Sequence, residues 1–284
     1  MATLYVVATP IGNLSDMTPR AIEVLKSVSL IAAEDTRVTG KLTNVFQIDT
    51  PLTSCHQHNE QAKGIQIAQR MLSENIDVAL TTDAGTPGIS DPGYGLTKAC
   101  ADLGIEIIAI PGACAMATAL SVSAMDTREF AFYGFLPREK KALKEKLLQM
   151  AEGIKVAVVH ESPFRVKELL EVLAGLFPEA KISVSCDLTK LHELTLRGKV
   201  GEVLEKIRAN PKAEKGEYVI VIDFSDVVLE KKEPRAEISL EAELVEQLLQ
   251  GRNMRDAQKN LVDLGRKKNA VYQAALRVKE LIGG

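Results

Sequence analysis

The chain of 284 residues is long enough for about two domains of ordinary size, each able to bury its own core. Apolar residues make up 46% and charged residues 26% of the sequence, which is typical of globular proteins and excludes a largely disordered chain. Aromatic residues make up 4%, tryptophan is absent and the net charge is -3, so neither an aromatic stacking platform nor a generally basic surface is expected.

The first half of the chain alternates between predicted strands and predicted helices. Apolar runs predict strands at 4–8, 28–33, 52–55, 76–81 and 105–110, and amphipathic segments predict helices after the first two strands and at 59–72, 96–103 and 116–125. Asp16 or Thr18 is expected to cap the first helix, with Pro19 in its first turn. A strand at 130–133 is expected to close this half, which places a first α/β domain at 1–134.

The second half repeats the alternation. Strands are predicted at 154–159, 182–186 and 218–223, and helices at 138–146, at 200–209 and after Ser162, with Pro163 in the first turn. This second α/β domain spans 135–229. The alternation predicts α/β layers on a largely parallel sheet, with ligand binding at the carboxyl ends of the strands.

The strand pattern stops near residue 229, and a helical region follows. Residues 230–237 have the composition of a charged linker, and helices are predicted at 240–249, 254–264 and 270–281, with Asn253 and Asn269 as caps for the last two. We therefore predict a C-terminal basic helical region at 230–284.

The loop at 82–93, TDAGTPGISDPG, is the most distinctive stretch of the chain. It contains three Gly, two Pro and two Asp and directly follows an apolar run. Gly permits positive φ and close approach, Pro fixes φ, and Asp binds neighbouring N–H groups, so we expect a rigid loop of exposed amides. Such a loop typically holds a ligand, whereas an ordinary strand-to-helix connection is the alternative. A second glycine loop, PGACA at 111–115, follows the next strand.

Several common α/β activities lack their signatures in this sequence. There is no GxxxxGK[ST] segment for a nucleoside triphosphate, no GxGxxG after the first strand for a dinucleotide and no GxSxG elbow for a serine hydrolase. His56 and His58 stand beside Cys55, but without a second ligand cluster we interpret them as surface polar residues and expect no metal.

Cysteine spacing and the N-terminus indicate the compartment. The four cysteines are scattered without disulfide or metal-binding spacing, which indicates free thiols in a reducing compartment and a cytoplasmic protein. The N-terminus enters a strand pattern without a basic region, and no apolar run approaches the roughly 18 residues that a membrane span requires. We expect no signal peptide and no membrane partner.

Five strand-end segments occur in order along both halves: TPIGN, EDTR, TDAGTPGISDPG, PGACA and HESPFR, with FYGFLP near residue 134 and GEYVIV at the last strand. Together they resemble the tetrapyrrole methylase superfamily, and most closely its ribosomal RNA 2'-O-methyltransferases, over essentially the whole chain. The resemblance implies two α/β domains of this type with a cleft between them and S-adenosyl-L-methionine as cofactor. It also implies 2'-O-methylation of a cytidine in 16S rRNA, within the 30S subunit, by a homodimer.

The resemblance also implies which residues bind the cofactor. They are Pro10, Gly85, Thr86, Ile89, Cys114, Ala115 and His160. Two positions depart from the family pattern, because Thr82 and Cys114 stand where Ser is common. A thiol is a weak hydrogen-bonding group, so backbone groups are expected to make the contacts near Cys114. Tight turns without a ligand are the alternative interpretation of the glycines.

Methyl transfer to a ribose hydroxyl requires alignment of the oxygen with the methyl carbon and gains from a positioned base. The strand-end carboxylates Glu161, Glu34 and Asp35 are the catalytic candidates, and His160 is a further one. Each carboxylate also has a structural alternative: Asp35 caps the following helix, Glu34 binds Arg37, and Glu161 orients a loop.

Positive charge is concentrated near the C-terminus. Residues 251–279 contain eight Lys and Arg against two Asp, within an acidic chain. This cluster is typical of phosphate binding, and a solvated helical face or a dimer contact is the alternative. The candidate RNA-binding residues here and elsewhere are Arg37, Arg138, Lys140, Lys141, Arg165, Arg252, Arg255, Lys267 and Lys268.

Two other functions fit the same loops. One is a methyltransferase for small tetrapyrroles, and the other is a non-catalytic module that binds the cofactor or RNA. The basic helical region and the EDTR segment favour the RNA-modifying branch.

Overall fold

The computed structural model describes residues 2–229 and 239–282. The chain forms two compact units, Met1–Val228 and Leu229–Gly284. The first unit contains both predicted α/β domains, and the boundary between those domains remains a prediction. The predicted charged linker at 230–237 lies outside the described residues.

A parallel sheet forms the first half of the larger unit. Its strands are β1 (Thr3–Val7), β2 (Leu30–Ala33), β3 (Leu52–Ser54), β4 (Val78–Thr81) and β5 (Glu106–Ile110), in the order β3-β2-β4-β1-β5. They alternate along the chain with helices α1 (Pro19–Ser27), α2 (Thr36–Val45), α3 (Glu60–Glu74), α4 (Tyr94–Asp102) and α5 (Ala115–Ser121). Every pairing is parallel, so the carboxyl ends of the strands meet at one edge, as predicted.

Apolar side chains cover both faces of this sheet. In β1, Leu4 and Val6 pack into one core cluster, and Tyr5 and Val7 pack into the cluster on the other face. This division follows from the alternation of side chains along a strand, and burial on both faces is typical of parallel sheets.

The start of α1 confirms one of two predicted caps. The Thr18 hydroxyl accepts a hydrogen bond from the Ala21 N–H at 3.1 Å, and Pro19 opens the helix. Asp16 ends a short 3-10 turn before it, so its predicted capping role is wrong.

Close contact between α3 and α4 depends on glycine. A Cβ at Gly64 would lie 2.8 Å from the backbone N and Cα of Leu96, so the two helices would have to separate. We expect Gly64→Ala to lower the free energy of unfolding by about 1 to 3 kcal/mol in urea denaturation. Gly175→Ala is the matched control, since a Cβ there meets no atom within 4 Å. It should stabilise its helix by about 0.5 to 1 kcal/mol, and equal effects of the two changes would contradict the packing argument.

A mixed sheet forms the second half. Its strands are β6 (Ala131–Phe135), β7 (Val156–Glu161), β8 (Lys181–Cys186), β9 (Leu194–Lys199) and β10 (Tyr218–Asp223), in the order β6-β7-β10-β8-β9. Its helices are α6 (Lys140–Gly153), α7 (Val166–Leu176) and α8 (Val200–Ala209). Only the β6–β7 pairing is parallel, so the prediction of a largely parallel sheet is wrong for this half.

The structure of this half differs from the prediction at three further places. The strand assigned to the end of the first half is β6, which pairs with β7 in the second sheet. Strand β9 was not predicted, because it is a partly exposed edge strand without an apolar run. The helix predicted to begin at Ser162 and Pro163 begins at Val166 instead. Residues 163–165 form a turn in which the Ser162 carbonyl accepts from the Arg165 and Val166 N–H groups.

The C-terminal unit has three helices in its described part, α9 (Leu240–Leu249), α10 (Met254–Asp263) and α11 (Lys268–Ile282). They share an apolar cluster that includes Leu244, Leu261 and Val278. Asn253 caps α10 by accepting from the Asp256 N–H at 2.9 Å. Asn269 lies inside α11, which begins one residue earlier, so its predicted capping role is wrong. Across both described ranges, no helix combines the length and apolarity needed to cross a membrane.

Candidate active site

A cavity of about 430 Å³ lies where strand-end loops of the two sheets meet. This volume falls within the range of about 300 to 1,000 Å³ that is usual for small-molecule sites. The first half contributes Ile11, Glu34, Asp83, Ala84, Gly85, Thr86, Ile89, Asp91, Cys114, Ala115 and Met116. The second half contributes Phe135, His160, Glu161, Ser162, Pro163, Leu188, Gly216, Glu217, Tyr218 and Val219.

The cavity brings together nearly all of the predicted cofactor-binding residues. Those on its wall are Gly85, Thr86, Ile89, Cys114, Ala115 and His160. Pro10 is not part of the wall, and its neighbour Ile11 is. Three separate strand ends, those of β4, β5 and β7, therefore supply this set.

Hydrogen bonds fix the glycine-rich loop against the neighbouring loops. Thr9 and Gly85 exchange two backbone hydrogen bonds of 2.9 and 3.0 Å, and the Thr86 hydroxyl donates to the Ala113 carbonyl at 3.1 Å. The Gly88 N–H donates to the Pro92 carbonyl at 3.1 Å. The expectation of a loop of exposed amides is therefore wrong at Gly85 and Gly88, whose N–H groups are used inside the protein. Gly85 instead supplies a φ of 79° that a side chain would disfavour.

His160 forms an aromatic part of the wall. Its ring packs edge-to-face against the rings of Phe132 and Phe135, at centroid distances of 5.0 and 5.7 Å. Burial lowers the pKa of His160, so the imidazole is neutral at physiological pH. Its Nε2 atom is buried and has no hydrogen-bond partner among the described residues. A neutral imidazole with an unpartnered nitrogen can donate or accept one hydrogen bond with a bound ligand.

Glu161 is the most buried carboxylate of the cavity, with 2% of its surface exposed. Its Oε1 atom accepts from the Ser162 N–H at 2.7 Å and lies 3.4 Å from the Arg165 guanidinium. Its Oε2 atom is buried and has no partner within the described part of the chain. Burial raises the pKa of Glu161 and outweighs the opposing effects of Ser162 and Arg165. The free oxygen is therefore a proton acceptor enclosed within the cavity wall, because the Glu161 side chain has no solvent-exposed surface.

Arg165 holds Glu161 in position. Its guanidinium also donates to the Leu136 carbonyl at 3.3 Å and to the Pro137 carbonyl at 2.8 Å. The side chain is 20% exposed. These contacts engage the Arg165 guanidinium inside the protein and do not favour its predicted role in RNA binding.

Asp35 and Glu34 differ in role although they are adjacent. Asp35 caps α2 by accepting from the Arg37 N–H at 2.8 Å and forms an ion pair of 2.6 Å with the Arg37 side chain. The hydrogen bond from Arg37 lowers the pKa of Asp35 to about 2, and Asp35 is not part of the cavity wall. The capping alternative thus describes Asp35 better than a catalytic role. Glu34 does line the cavity, and it accepts from the Asp83 N–H at 3.2 Å rather than binding Arg37.

Glu34, Asp83 and Asp91 give the cavity an acidic end. Burial is the main cause that raises the pKa of each, and for Asp91 the nearby charges of Glu34 and Asp83 help to raise it to about 6. Within the ranges that the structure describes, no group of three or more His, Cys, Asp or Glu side chains is placed to hold a metal ion.

Because the pKa of Asp91 is raised, we expect a neutral residue at this position to increase the free energy of unfolding in a pH-dependent way. The ionised Asp91 carboxylate destabilises the folded state. This destabilisation is absent below pH 3.8, where the carboxyl is protonated, and is complete above about pH 6. We expect Asp91→Asn to raise the free energy of unfolding by about 1 kcal/mol at pH 7.5 and to leave it unchanged near pH 3.5. This value is discounted for solvent screening because Asp91 is partly accessible. Urea denaturation at both pH values measures the difference, and an equal gain at both would contradict this origin.

The remaining predicted RNA-binding residues lie on the surface. Arg138, Lys140 and Lys141 are exposed at the start of α6, shortly after the cavity residue Phe135. In the C-terminal unit, Arg252, Arg255, Lys267 and Lys268 are exposed. Arg252 donates to the Gln247 side chain at 3.0 Å, and Arg37 is exposed but engaged with Asp35.

Comparison with known proteins bears on what this cavity does. The family model described as Tetrapyrrole (Corrin/Porphyrin) Methylases matches residues 3–204. The chain belongs to this family. The predicted family is therefore confirmed.

Named relatives extend the similarity to the whole chain. A protein of Vibrio cholerae named ribosomal RNA small subunit methyltransferase I is 43% identical over 223 residues, covering 77% of this chain and 76% of that protein. A protein of Synechocystis sp. with the same name is 38% identical over 281 residues, covering 98% and 99%. These relatives and the family model confirm that the chain is a methyltransferase.

Solved structures agree on the fold. The methyltransferase CobJ matches with a TM-score of 0.56 at 17% identity, covering 78% of this chain and 94% of its own. Uroporphyrin-III-C-methyltransferase from Thermus thermophilus matches with a TM-score of 0.51 at 19% identity, covering the same shares. At such low identity the likeness concerns the fold alone, and it confirms the predicted fold class.

Some cavity residues escaped the sequence analysis. Phe135 and Tyr218 belong to the FYGFLP and GEYVIV segments, which carried the family resemblance without being assigned a role. Gly216 belongs to the same GEYVIV segment, whereas Leu188 follows β8 in a stretch that carried no motif. Only the fold brings Leu188 to the cavity.

Proposed function

We propose that the protein transfers a methyl group from S-adenosyl-L-methionine to the 2'-hydroxyl of a cytidine in 16S rRNA. The observation that carries this proposal is the convergence of residues after β4, β5 and β7 on one cavity, with the buried and unpartnered Oε2 atom of Glu161 within its wall. The names of the relatives support small-subunit rRNA as the substrate.

The cavity fits S-adenosyl-L-methionine in volume and in chemistry. Ile11, Ile89 and Met116 offer apolar contact, and Gly85 on the wall has no side chain that would keep a ligand from the backbone. Among the described residues, no lysine or arginine lines the cavity, so its wall does not resemble a phosphate site. The cofactor would supply an electrophilic methyl group on a sulfonium and would leave as a neutral thioether.

The chain's own residues would orient the hydroxyl and take its proton. Glu161 receives the proton at Oε2 as the oxygen attacks the methyl carbon, while Ser162 and Arg165 hold Oε1. His160 and Phe135 are in ring contact on the wall of the same cavity. Bond formation to oxygen, bond cleavage at sulfur and proton transfer to Glu161 together balance the reaction.

RNA would reach the cavity along surfaces that offer cations and an aromatic ring. Phe135 lines the cavity yet is 61% exposed, so it can stack on a nucleobase. The exposed cations at the start of α6 can contact the neighbouring phosphates. We also propose the assembled 30S subunit as the substrate form, a homodimer as the active state and the cytoplasm as the compartment.

Methyl transfer from tritiated S-adenosyl-L-methionine tests the proposed function. The purified chain should label 30S subunits that lack small-subunit methylation and should leave uroporphyrinogen and 50S subunits unlabelled. Resistance of one cytidine linkage to alkaline hydrolysis would identify the 2'-oxygen as the acceptor. Labelling of the tetrapyrrole, or label found only on a base, would overturn the proposal.

A further inference from the structure

Lys190 joins two segments of the second sheet, and both segments reach the cavity. Its ammonium group lies 2.8 Å from the Asp187 carboxylate, in the loop after β8, and 2.9 Å from the Glu217 carboxylate, just before β10. Leu188, in the loop after β8, and Glu217 both lie on the cavity wall. Lys190 is not part of the wall, so it acts on the cavity through the segments that it joins.

The stem of Lys190 also packs on the segment that follows β1. A Cβ at Gly12 would lie 2.5 Å from Cγ of Lys190 and 3.1 Å from the Thr189 hydroxyl oxygen, so a side chain there would have to displace the loop after β8. Ile11, the neighbour of Gly12, lines the cavity. Lys190 therefore connects one segment of the first half with two of the second, and each of the three contributes to the cavity wall.

The loop after β8 contributes to the apolar part of this wall. Ile11 and Ala115 pack against the apolar cluster that contains Leu188 and Val219, and all four residues line the cavity. Ala115 is one of the predicted cofactor-binding residues. A shift of Leu188 would therefore alter the part of the wall that the proposed function assigns to the cofactor.

The same loop is held in an unfavourable backbone conformation. Asp187 has a φ of 51° and Thr189 has a φ of 67°, both in the left-handed region. Aspartate tolerates this region, whereas a β-branched residue such as threonine rarely adopts it. The Thr189 hydroxyl is also buried without a hydrogen-bond partner among the described residues. Strained backbone persists only where the surrounding contacts impose it, so the loop is expected to relax when such contacts are removed.

We propose that Lys190 is a positioning residue that holds these three segments in the conformation that binds S-adenosyl-L-methionine. This inference rests on the proposed function and names a residue outside the wall that sets cofactor affinity. The Asp187 N–H donates to the Glu217 carbonyl at 3.0 Å and the Thr189 N–H donates to the Glu193 carboxylate at 2.6 Å, so a variant at Lys190 keeps part of the loop structure. Affinity then falls with the fraction of molecules that retain the binding conformation.

Calorimetry of S-adenosyl-L-methionine binding to the purified chain tests this inference. Lys190→Met keeps an unbranched stem over Gly12 and removes both ion pairs, and we expect the Kd to rise by about 5- to 20-fold. The single-turnover rate on 30S subunits at saturating cofactor should stay within about twofold of wild type, because Lys190 does not line the cavity.

A second variant tests whether Asp187 acts through Lys190. Asp187→Asn removes one ion pair, and asparagine tolerates the left-handed conformation, so its Kd should rise by about 2- to 5-fold. Two residues that act through one contact are not additive. The double variant should therefore bind the cofactor within about twofold of Lys190→Met alone.

Lys181→Met is the matched control, because Lys181 pairs with Asp226 at 2.7 Å near the opposite ends of the same two strands, outside the cavity wall. Its Kd should stay within about twofold of wild type. An unchanged Kd in Lys190→Met, or an equal loss in Lys181→Met, would overturn the inference while leaving the proposed function intact. A slower reaction at saturating cofactor with an unchanged Kd would also overturn it. Failure of the wild type to bind the cofactor would overturn the proposed function itself.

Discussion

Replacing Glu161 by glutamine is expected to lower the single-turnover rate of methyl transfer by about 100- to 1,000-fold, as is usual when a general base is lost. Glutamine keeps the shape of the side chain and can still accept from the Ser162 N–H, but it cannot take up the proton. Cofactor affinity should stay within about twofold of wild type. Rapid-quench measurement with tritiated S-adenosyl-L-methionine gives the rate, and calorimetry gives the affinity.

A matched substitution separates loss of the base from a general effect of removing charge. Glu145 is an exposed carboxylate in the middle of α6 and is not part of the cavity wall, so Glu145→Gln should retain the wild-type rate within about twofold. A rate for Glu161→Gln equal to that of the control would remove Glu161 as the base. A fall in cofactor affinity without a fall in rate would assign Glu161 to cofactor binding instead.

The direction in which the methyl-transfer rate changes with pH is an independent test of Glu161 as the base. Burial raises the pKa of Glu161 above the ordinary value of 4.5, so the carboxylate is protonated and inactive over a wider acidic range than an exposed one. The wild-type rate should therefore rise with pH and level off, with its inflection above pH 4.5. The rising limb should be absent in Glu161→Gln.

Sequence patterns predicted the elements with strong local signals. The strands of the first sheet and the cap at Thr18 follow from apolar runs and a Thr-Pro pair, which act within a few residues. The membership of β6 in the second sheet depends on pairing with β7, about 25 residues further along the chain. No local signal encodes such a pairing. The edge strand β9 has too few apolar residues to be distinguished from a loop.

The candidate site shows the same division. Sequence and resemblance together named Glu161, Glu34 and Asp35 without ranking their roles. Burial and partners separate them, because Asp35 is engaged with Arg37, Glu34 faces the cavity at its acidic end, and Glu161 keeps one oxygen free. The Thr9–Gly85 bridge likewise decides that Gly85 shapes the loop rather than offering its amide. These distinctions arise from contacts between residues that are distant in sequence.

Ion pairing divides the basic residues of the C-terminal unit into two groups. Arg266 pairs with Glu243 and Arg277 pairs with Glu241, and these pairs link α9 to the segment before α11 and to α11 itself. Arg255, Lys267 and Lys268 are exposed and form no ion pair with any described residue. The unpaired group is available to bind phosphates.

Replacing Arg255, Lys267 and Lys268 together by alanine is expected to weaken RNA binding by about 10- to 100-fold near physiological salt, since each exposed ion contact contributes up to about 1 kcal/mol. The slope of log affinity against log salt should fall in magnitude by about 2 to 3, because roughly one counterion is released for each phosphate contact. Filter binding to 30S subunits over a salt series measures both quantities.

The control for this triple variant must remove the same net charge elsewhere. Lys26, Lys41 and Lys206 are exposed and lie in α1, α2 and α8, outside the C-terminal unit, so their replacement by alanine lowers the net charge by the same amount. If the C-terminal cations contact phosphates, only the first variant loses a large part of the salt dependence. If both triple variants lose RNA affinity by the same small factor, the C-terminal cations form a solvated helical face and do not contact RNA. If the triple variant sediments as a monomer but keeps its RNA affinity, these residues form a dimer contact. Only contacts with RNA phosphates would make the RNA affinity of this variant less dependent on salt.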